Sequence, residues 1–292
     1  MKIGLFAPTL NPAATPEYLH ALGHGAEERG FHALWVAEHV VLFDDYESEY
    51  PYAADGKIPA GGESGILDPF NTLSFLAATT KRVRLGTGIC LVPQRNPVYT
   101  AKEVATLDWI SAGRVDFGVG IGWLAEEFHA VAASFEKRAA RCRSYLEVMK
   151  RLWSDPVSQY EDEFYHLEPC RMYPKPVQTP HPPIYFGGES DPALRRVADL
   201  GQGWYPFKLL PDELAKPLTR LDGMLSERGR RLEDIDVVVC PYMLPIDLDA
   251  VKRYRDLGVS QVILLFMAMS VDEVARALDV LAENFVVPAA VF

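Results

Sequence analysis

Apolar and polar positions along the chain follow two alternating rhythms. Short runs that are apolar on both faces occur at Lys2–Ala7, His32–Ala37, Val83–Ile89, Val115–Val119, Pro183–Phe186, Gly203–Pro206, Ile235–Cys240 and Gln261–Leu265. Runs of this length, bounded by turn residues, predict buried strands. Stretches with helical spacing follow them, at Pro16–Arg29, Asp68–Thr79, Pro97–Ile110, Phe135–Trp153, Pro192–Leu200, Asp212–Arg228, Leu248–Leu257 and Val271–Glu283. In the first, Leu19, Leu22 and Ala26 share one stripe and Gly30 is a stop signal. Strands apolar on both faces, joined by crossover helices, demand a parallel sheet covered by helices. Eight such units close best into a single (β/α)8 TIM barrel; an open, doubly wound sheet is the alternative. No Pro/Ser-rich linker or shift in composition interrupts the pattern, so residues 1–292 are expected to form one domain.

Two segments exceed the usual connection of about 2–6 residues. His39 to Leu67 leaves the C-terminal end of the second strand, on the face where barrel enzymes keep their active sites. It carries Phe43, Tyr46, Tyr50 and Tyr52 and ends rich in Pro and Gly. Ser154 to Pro182 leads into the fifth strand from the opposite face and reads as structural, with a small hairpin around Tyr160–Tyr165. The run Val83–Ile89 is echoed at Val115–Ile121 in the pattern V-x-x-G-x-G-I, one strand–helix unit later. Both strands thus end in glycines, where the chain must bend or something must approach the backbone closely.

Composition narrows the partners. The 292 residues are 49% hydrophobic and 24% charged, ordinary for a folded enzyme. Lys and Arg number 29 against 40 Asp and Glu, a net charge of −11. Such a surface repels phosphate backbones and anionic lipid, so neither nucleic acid nor membrane is an expected partner. Cys90, Cys142, Cys170 and Cys240 are far apart with no CxxC pair, which fits idle thiols in a reducing compartment. No signal-peptide pattern opens the chain, and the longest apolar run, Val262 to Met269, is far below the roughly 20 residues of a membrane span. A cytoplasmic location is expected.

Standard catalytic motifs are missing: GxxxxGK[ST], HExxH and GxSxG do not occur, and no metal site is expected. Gly118-Val119-Gly120-Ile121-Gly122-Trp123 lacks the last glycine of a dinucleotide fingerprint and fits a strand cap as well as a ligand loop. His39, after Glu38, ends the second strand at the catalytic face, where an imidazole suits acid–base work; a loop histidine held by backbone is the competing reading. The other six histidines fall on helices or in loops and read as structural. Gly187-Gly188-Glu189-Ser190 precedes a helix opening at Asp191-Pro192. Glycine N–H groups at a helix start make a phosphate site, although a tight turn needs small residues too. Glu189 opposes an anion unless it points away, and Lys208 offers a compensating charge.

Several stretches together resemble the luciferase-like monooxygenase superfamily, closest to its subgroup that uses the deazaflavin coenzyme F-420. They are Trp35–His39, Arg84–Gly88 with Pro93 and Asn96-Pro97, Leu107–Arg114, Gly118–Leu124 with Glu126–Phe128, and Pro182–Gly188 with Gly201–Trp204. The likeness runs over roughly Met1 to Phe207. It implies a bacterial-luciferase-like TIM barrel with a flavin-type ring at the strand ends. His39 then matches the histidine flanking the ring and Glu38 its acidic neighbour. Gly88-Ile89 matches a non-proline cis peptide that backs the ring, with Gly120 and Gly122 nearby. Gly187 and Gly188 match the cofactor's phosphate site, with Lys208 beside it. Where some F-420-dependent relatives carry a catalytic glutamate, this chain has Trp123, so their sugar-phosphate chemistry does not carry over.

The resemblance makes the expected activity hydride transfer between F-420 and a small organic substrate, with His39 as proton donor or charge stabiliser. An FMN-dependent monooxygenase served by a separate flavin reductase is the alternative, and a flavin-binding protein without turnover is a third. A homodimer is expected on the same resemblance.

Overall fold

All eight predicted strands form, and they pair in parallel around a closed ring. The computed structural model describes residues 1–292. Its barrel strands are β1 Lys2–Phe6, β2 Ala33–Val36, β3 Arg84–Thr87, β4 Val115–Gly120, β5 Ile184–Gly187, β6 Gly203–Tyr205, β7 Asp236–Tyr242 and β8 Gln261–Leu265. Neighbours follow chain order, β8 returns to β1, and Leu85 opposite Val115 closes β3 onto β4. The helices around it are α1 Pro16–Glu28, α2 Pro69–Thr79, α3 Pro97–Ile110, α4 Arg138–Ser154, α5 Asp191–Leu200, α6 Pro211–Ser226, α7 Leu248–Asp256 and α8 Val271–Leu281. Local chemistry starts them: Thr15, Asp68 and Asn96 accept hydrogen bonds from first-turn amides, and a proline opens each of those helices. No helix is long and apolar enough to cross a membrane.

The core has two parts. Fifty-six buried residues fill the layer between strands and helices, while a cluster of 8 plugs the barrel axis. Trp35 is central to that plug, with ring centroids 5.5 Å from Tyr185 and 5.1 Å from Tyr205. The first glycine of the repeated pattern serves this packing. A Cβ on Gly86 would lie 2.4 Å from the Trp35 ring, so the indole occupies the space a side chain would take.

Boundaries differ from the sequence expectation where local contacts override periodicity. The predicted third strand stops at Thr87; the Gly88–Ile89 peptide is cis, and Cys90–Leu91 then pairs beside β4. Helix α4 begins at Arg138 rather than Phe135, because Phe135 packs on Phe128 at 5.3 Å and Lys137 adopts φ 50°. A short helix, Ala125–Ala130, was not expected. Ser158–Glu161 and His166–Cys170 form the expected hairpin, and Gln178 ties its segment to Asp108 and the Val115 carbonyl at the start of β4. The His39–Leu67 segment has no regular element and lies over the strand ends.

Candidate active site

A cavity of about 430 Å³ opens at the C-terminal ends of the strands, and 19 of its 31 lining residues are hydrophobic. Glu38, His39, Gly88, Ile89, Gly120, Gly122, Gly187 and Gly188 all line it. Eight of the nine residues singled out in the sequence therefore converge. Lys208 does not line it. Its ammonium donates to the Tyr52 carbonyl at 2.5 Å, because φ 56° at Lys208 turns the chain toward the insertion. That bond ties the insertion to the turn after β6.

His39 is held from behind. Its Nδ1 lies 3.1 Å from the Glu127 carboxylate, and Nε2 makes no hydrogen bond within the protein. Glu127 also accepts from the Val40 amide at 2.6 Å and from Gln94 at 3.1 Å, and its side chain is fully buried. Burial works to raise its pKa, but hydrogen bonds from His39, Gln94 and Val40 outweigh that and hold the carboxyl below its ordinary value. An ionised carboxylate accepts only, so Nδ1 carries a proton and Nε2 is left to the cavity. The Trp123 ring packs edge-on against the imidazole at 5.9 Å.

Glu38 behaves differently from the expectation that it attends the cofactor. One carboxylate oxygen pairs with Arg95 and the other accepts from the Leu91 amide at 2.5 Å. Arg95 in turn pairs with Glu103 at 2.7 Å. Both Glu38 oxygens are spent inside the protein, tying the turn after β3 to β2. Ile89 explains a neighbouring glycine: a Cβ on Gly120 would sit 2.0 Å from its Cδ1. Below them Tyr205 closes the floor with a buried hydroxyl that has no hydrogen-bond partner.

The β5–α5 turn supplies the charge. Gly188 has φ 99°, a left-handed conformation that suits glycine, and a Cβ there would meet Ala193 at 3.0 Å. Ser190 caps α5 without spending its hydroxyl on an amide. Arg196, one turn further, lines the same end, and its buried Nε has no partner. Glu189 points away, accepting from Tyr52 at 3.1 Å and from the Phe207 amide at 2.8 Å. Free amides, a helix start and an unpartnered guanidinium fit a phosphate, so the donor set suits a phosphorylated cofactor.

Glu127 and Arg196 are functional candidates that sequence reasoning missed. Their signal was faint: an acid beside apolar Leu124 and Phe128, and a basic residue flanking the apolar stripe of α5.

The family model for luciferase-like monooxygenases matches residues 1–257. The chain belongs to this family. A Mycobacterium tuberculosis protein named only as uncharacterized is 31% identical over 283 residues, covering 97% of this chain and 98% of that one. The oxygenase component of a flavin-dependent trigonelline monooxygenase from Acinetobacter baylyi is 30% identical over 72% of this chain and 53% of its own length. The coenzyme F-420-dependent tetrahydromethanopterin reductase from Methanopyrus kandleri superposes with a TM-score of 0.75 at 18% identity, covering 98% and 99% of the two chains. Family membership makes this chain a luciferase-like oxidoreductase or monooxygenase with the barrel expected for it.

Proposed function

We propose that this luciferase-like enzyme moves a hydride between bound coenzyme F-420 and a small organic substrate. The observation that carries the reading is one cavity joining an anion cradle to the His39–Glu127 pair. When bound, the deazaflavin would supply a two-electron hydride acceptor or donor. Gly187, Gly188, Ser190 and Arg196 would hold its phosphate, and Gly88, Ile89, Gly120 and Gly122 would line its ring. His39 Nε2 would take the proton of a substrate hydroxyl as hydride leaves the adjoining carbon, and would return it in the reverse direction. The aromatic insertion would keep water from the reacting atoms. Glu38 and Lys208 enter only as supports of the turn after β3 and of the insertion. A homodimer belongs to this reading, and Tyr99, Trp109 and Ile110, exposed on α3, supply an apolar face for it.

A flavin-dependent monooxygenase is the second reading, favoured by the 30% identity to the trigonelline enzyme. FMN would use the same cradle, and a separate reductase would then be a partner. Titration with F-420 and FMN separates them: tighter binding of F-420 is expected, and a clear preference for FMN overturns the deazaflavin assignment. His39→Ala should keep cofactor affinity within a few-fold while turnover falls by roughly 10²–10⁴. Unchanged turnover at saturating cofactor would reduce His39 to a binding residue.

A further inference from the structure

The cavity is poor in ionisable groups. Glu38, His39 and Arg196 are its only acidic or basic lining residues. Both oxygens of Glu38 are occupied by Arg95 and the Leu91 amide, and His39 is tied to Glu127. Arg196 stands at the β5–α5 end, which the phosphate of either cofactor would neutralise. Across the barrel, where β1 and β8 meet, Phe6, Leu10, Ile66, Leu265 and Met267 line the wall. None can balance a charge. The Tyr242 ring packs edge-on against Phe6 at 6.0 Å, and it and Tyr50 bring to the cavity phenols that burial keeps in the neutral form, beside the imidazole of His39. A net charge of −11 on the chain adds a field that repels anions before they arrive.

A charged molecule buried against such a wall would lose its hydration without gaining a counter-ion, among the most costly events in binding. A neutral molecule gains from the apolar area it covers, and a single oxygen can accept from a phenol or meet His39. We propose that the substrate is uncharged and mostly apolar, carries one hydrogen-bonding oxygen, and occupies the β1–β8 side of the cavity. This rests on the functional reading above, since it assigns the β5–α5 end to the cofactor.

Isothermal titration of protein saturated with its cofactor tests it, using matched probes near neutral pH. The probes are cyclohexanone with its ring-carboxylated and ring-aminated analogues, and octanone with the matching keto acid. Each neutral ketone is expected to bind at least about tenfold tighter than its charged partners. A smaller preference, or no binding of either neutral ketone, overturns the proposal. Met267 is 53% exposed, so Met267→Arg should fold normally. It should tighten the carboxylated probes by about tenfold or more; unchanged affinity would remove the substrate from the β8 side. Cofactor retention, measured separately by absorbance, judges the functional reading. If neither F-420 nor FMN is retained, that reading fails, and the same probes on unloaded Arg196→Gln protein judge the cavity by the same criterion.

Discussion

Among single side chains, Glu127 decides what the imidazole of His39 can do. Its carboxylate accepts from Nδ1, from Gln94 and from the Val40 amide, so it has no use for a donor of its own. Glu127→Gln keeps the shape but turns an N–H₂ group toward at least one of those donors. The imidazole would then lose its fixed orientation, and under the proposed reaction turnover should fall about 10–100-fold, the usual cost of losing a partner that orients a functional histidine. Substrate KM and cofactor affinity should stay within a few-fold. A loss confined to KM would assign Glu127 to binding instead. His39 was legible because a histidine at a strand's end on the catalytic face is a strong positional signal. Glu127 was not, because its partner lies 88 residues away and only tertiary structure brings them together. The direction of Lys208 was hidden for the same reason: its place after β6 was legible, but its backbone turn sends the ammonium to Tyr52.

The elements were legible wherever one periodicity ran long enough. The strands and the eight long helices announced themselves, while Ala125–Ala130, at 6 residues, is too short to show a stripe. That short helix is nonetheless what docks the insertion. Glu126 in its first turn accepts from the amides of Glu47 and Ser48 at 2.7 and 3.2 Å and from the Ser48 hydroxyl at 2.7 Å. Burial is the largest single influence and opposes the charged form, but these hydrogen bonds, with one from the Glu126 amide itself, together prevail and bring the Glu126 pKa down to about 2 from 4.5. A depressed carboxylate stabilises the docked loop above its ordinary pKa and loses that contribution only as pH falls toward the lowered value. The loop should therefore stay docked in mild acid, well below neutrality but above about 2. Hydrogen exchange of residues 43–52 reads this directly. Wild-type protection should persist to about pH 4 once intrinsic rates are corrected, whereas Glu126→Ala should expose the segment at every pH. Equal protection in the two proteins would show that Glu189 and Lys208 suffice to hold the loop.

On the scale of the whole barrel, the two ends differ in chemistry. The catalytic end is an apolar cavity, while the base is a ring of charged and polar side chains. Arg84 pairs with the buried Asp116 at 2.5 Å and donates to the Val115 carbonyl, and Lys2, His32 and Asp236 line the same basal pocket. His32 is the group there that acid turns against the fold. Burial first, then the nearby charges of Lys2 and Arg84, lower its pKa from 6.5 to about 4, with Asp236 acting in the opposite sense. Below about 6.5 the unfolded chain binds a proton at His32 that the folded chain refuses, so stability falls with pH. Below about 4 both states carry the proton and the loss levels off. Carboxylates titrate in part of this window, so the comparison has to be made against a variant that lacks only this imidazole. His32→Gln keeps a polar side chain of similar reach without a group that ionises. Thermal midpoints measured from neutrality down to about pH 4 should fall more steeply for wild type than for the variant. The gap between the curves should open below about 6.5 and stop widening near 4. Parallel curves across that range would mean that solvent reaches the basal pocket well enough to keep His32 at its ordinary pKa.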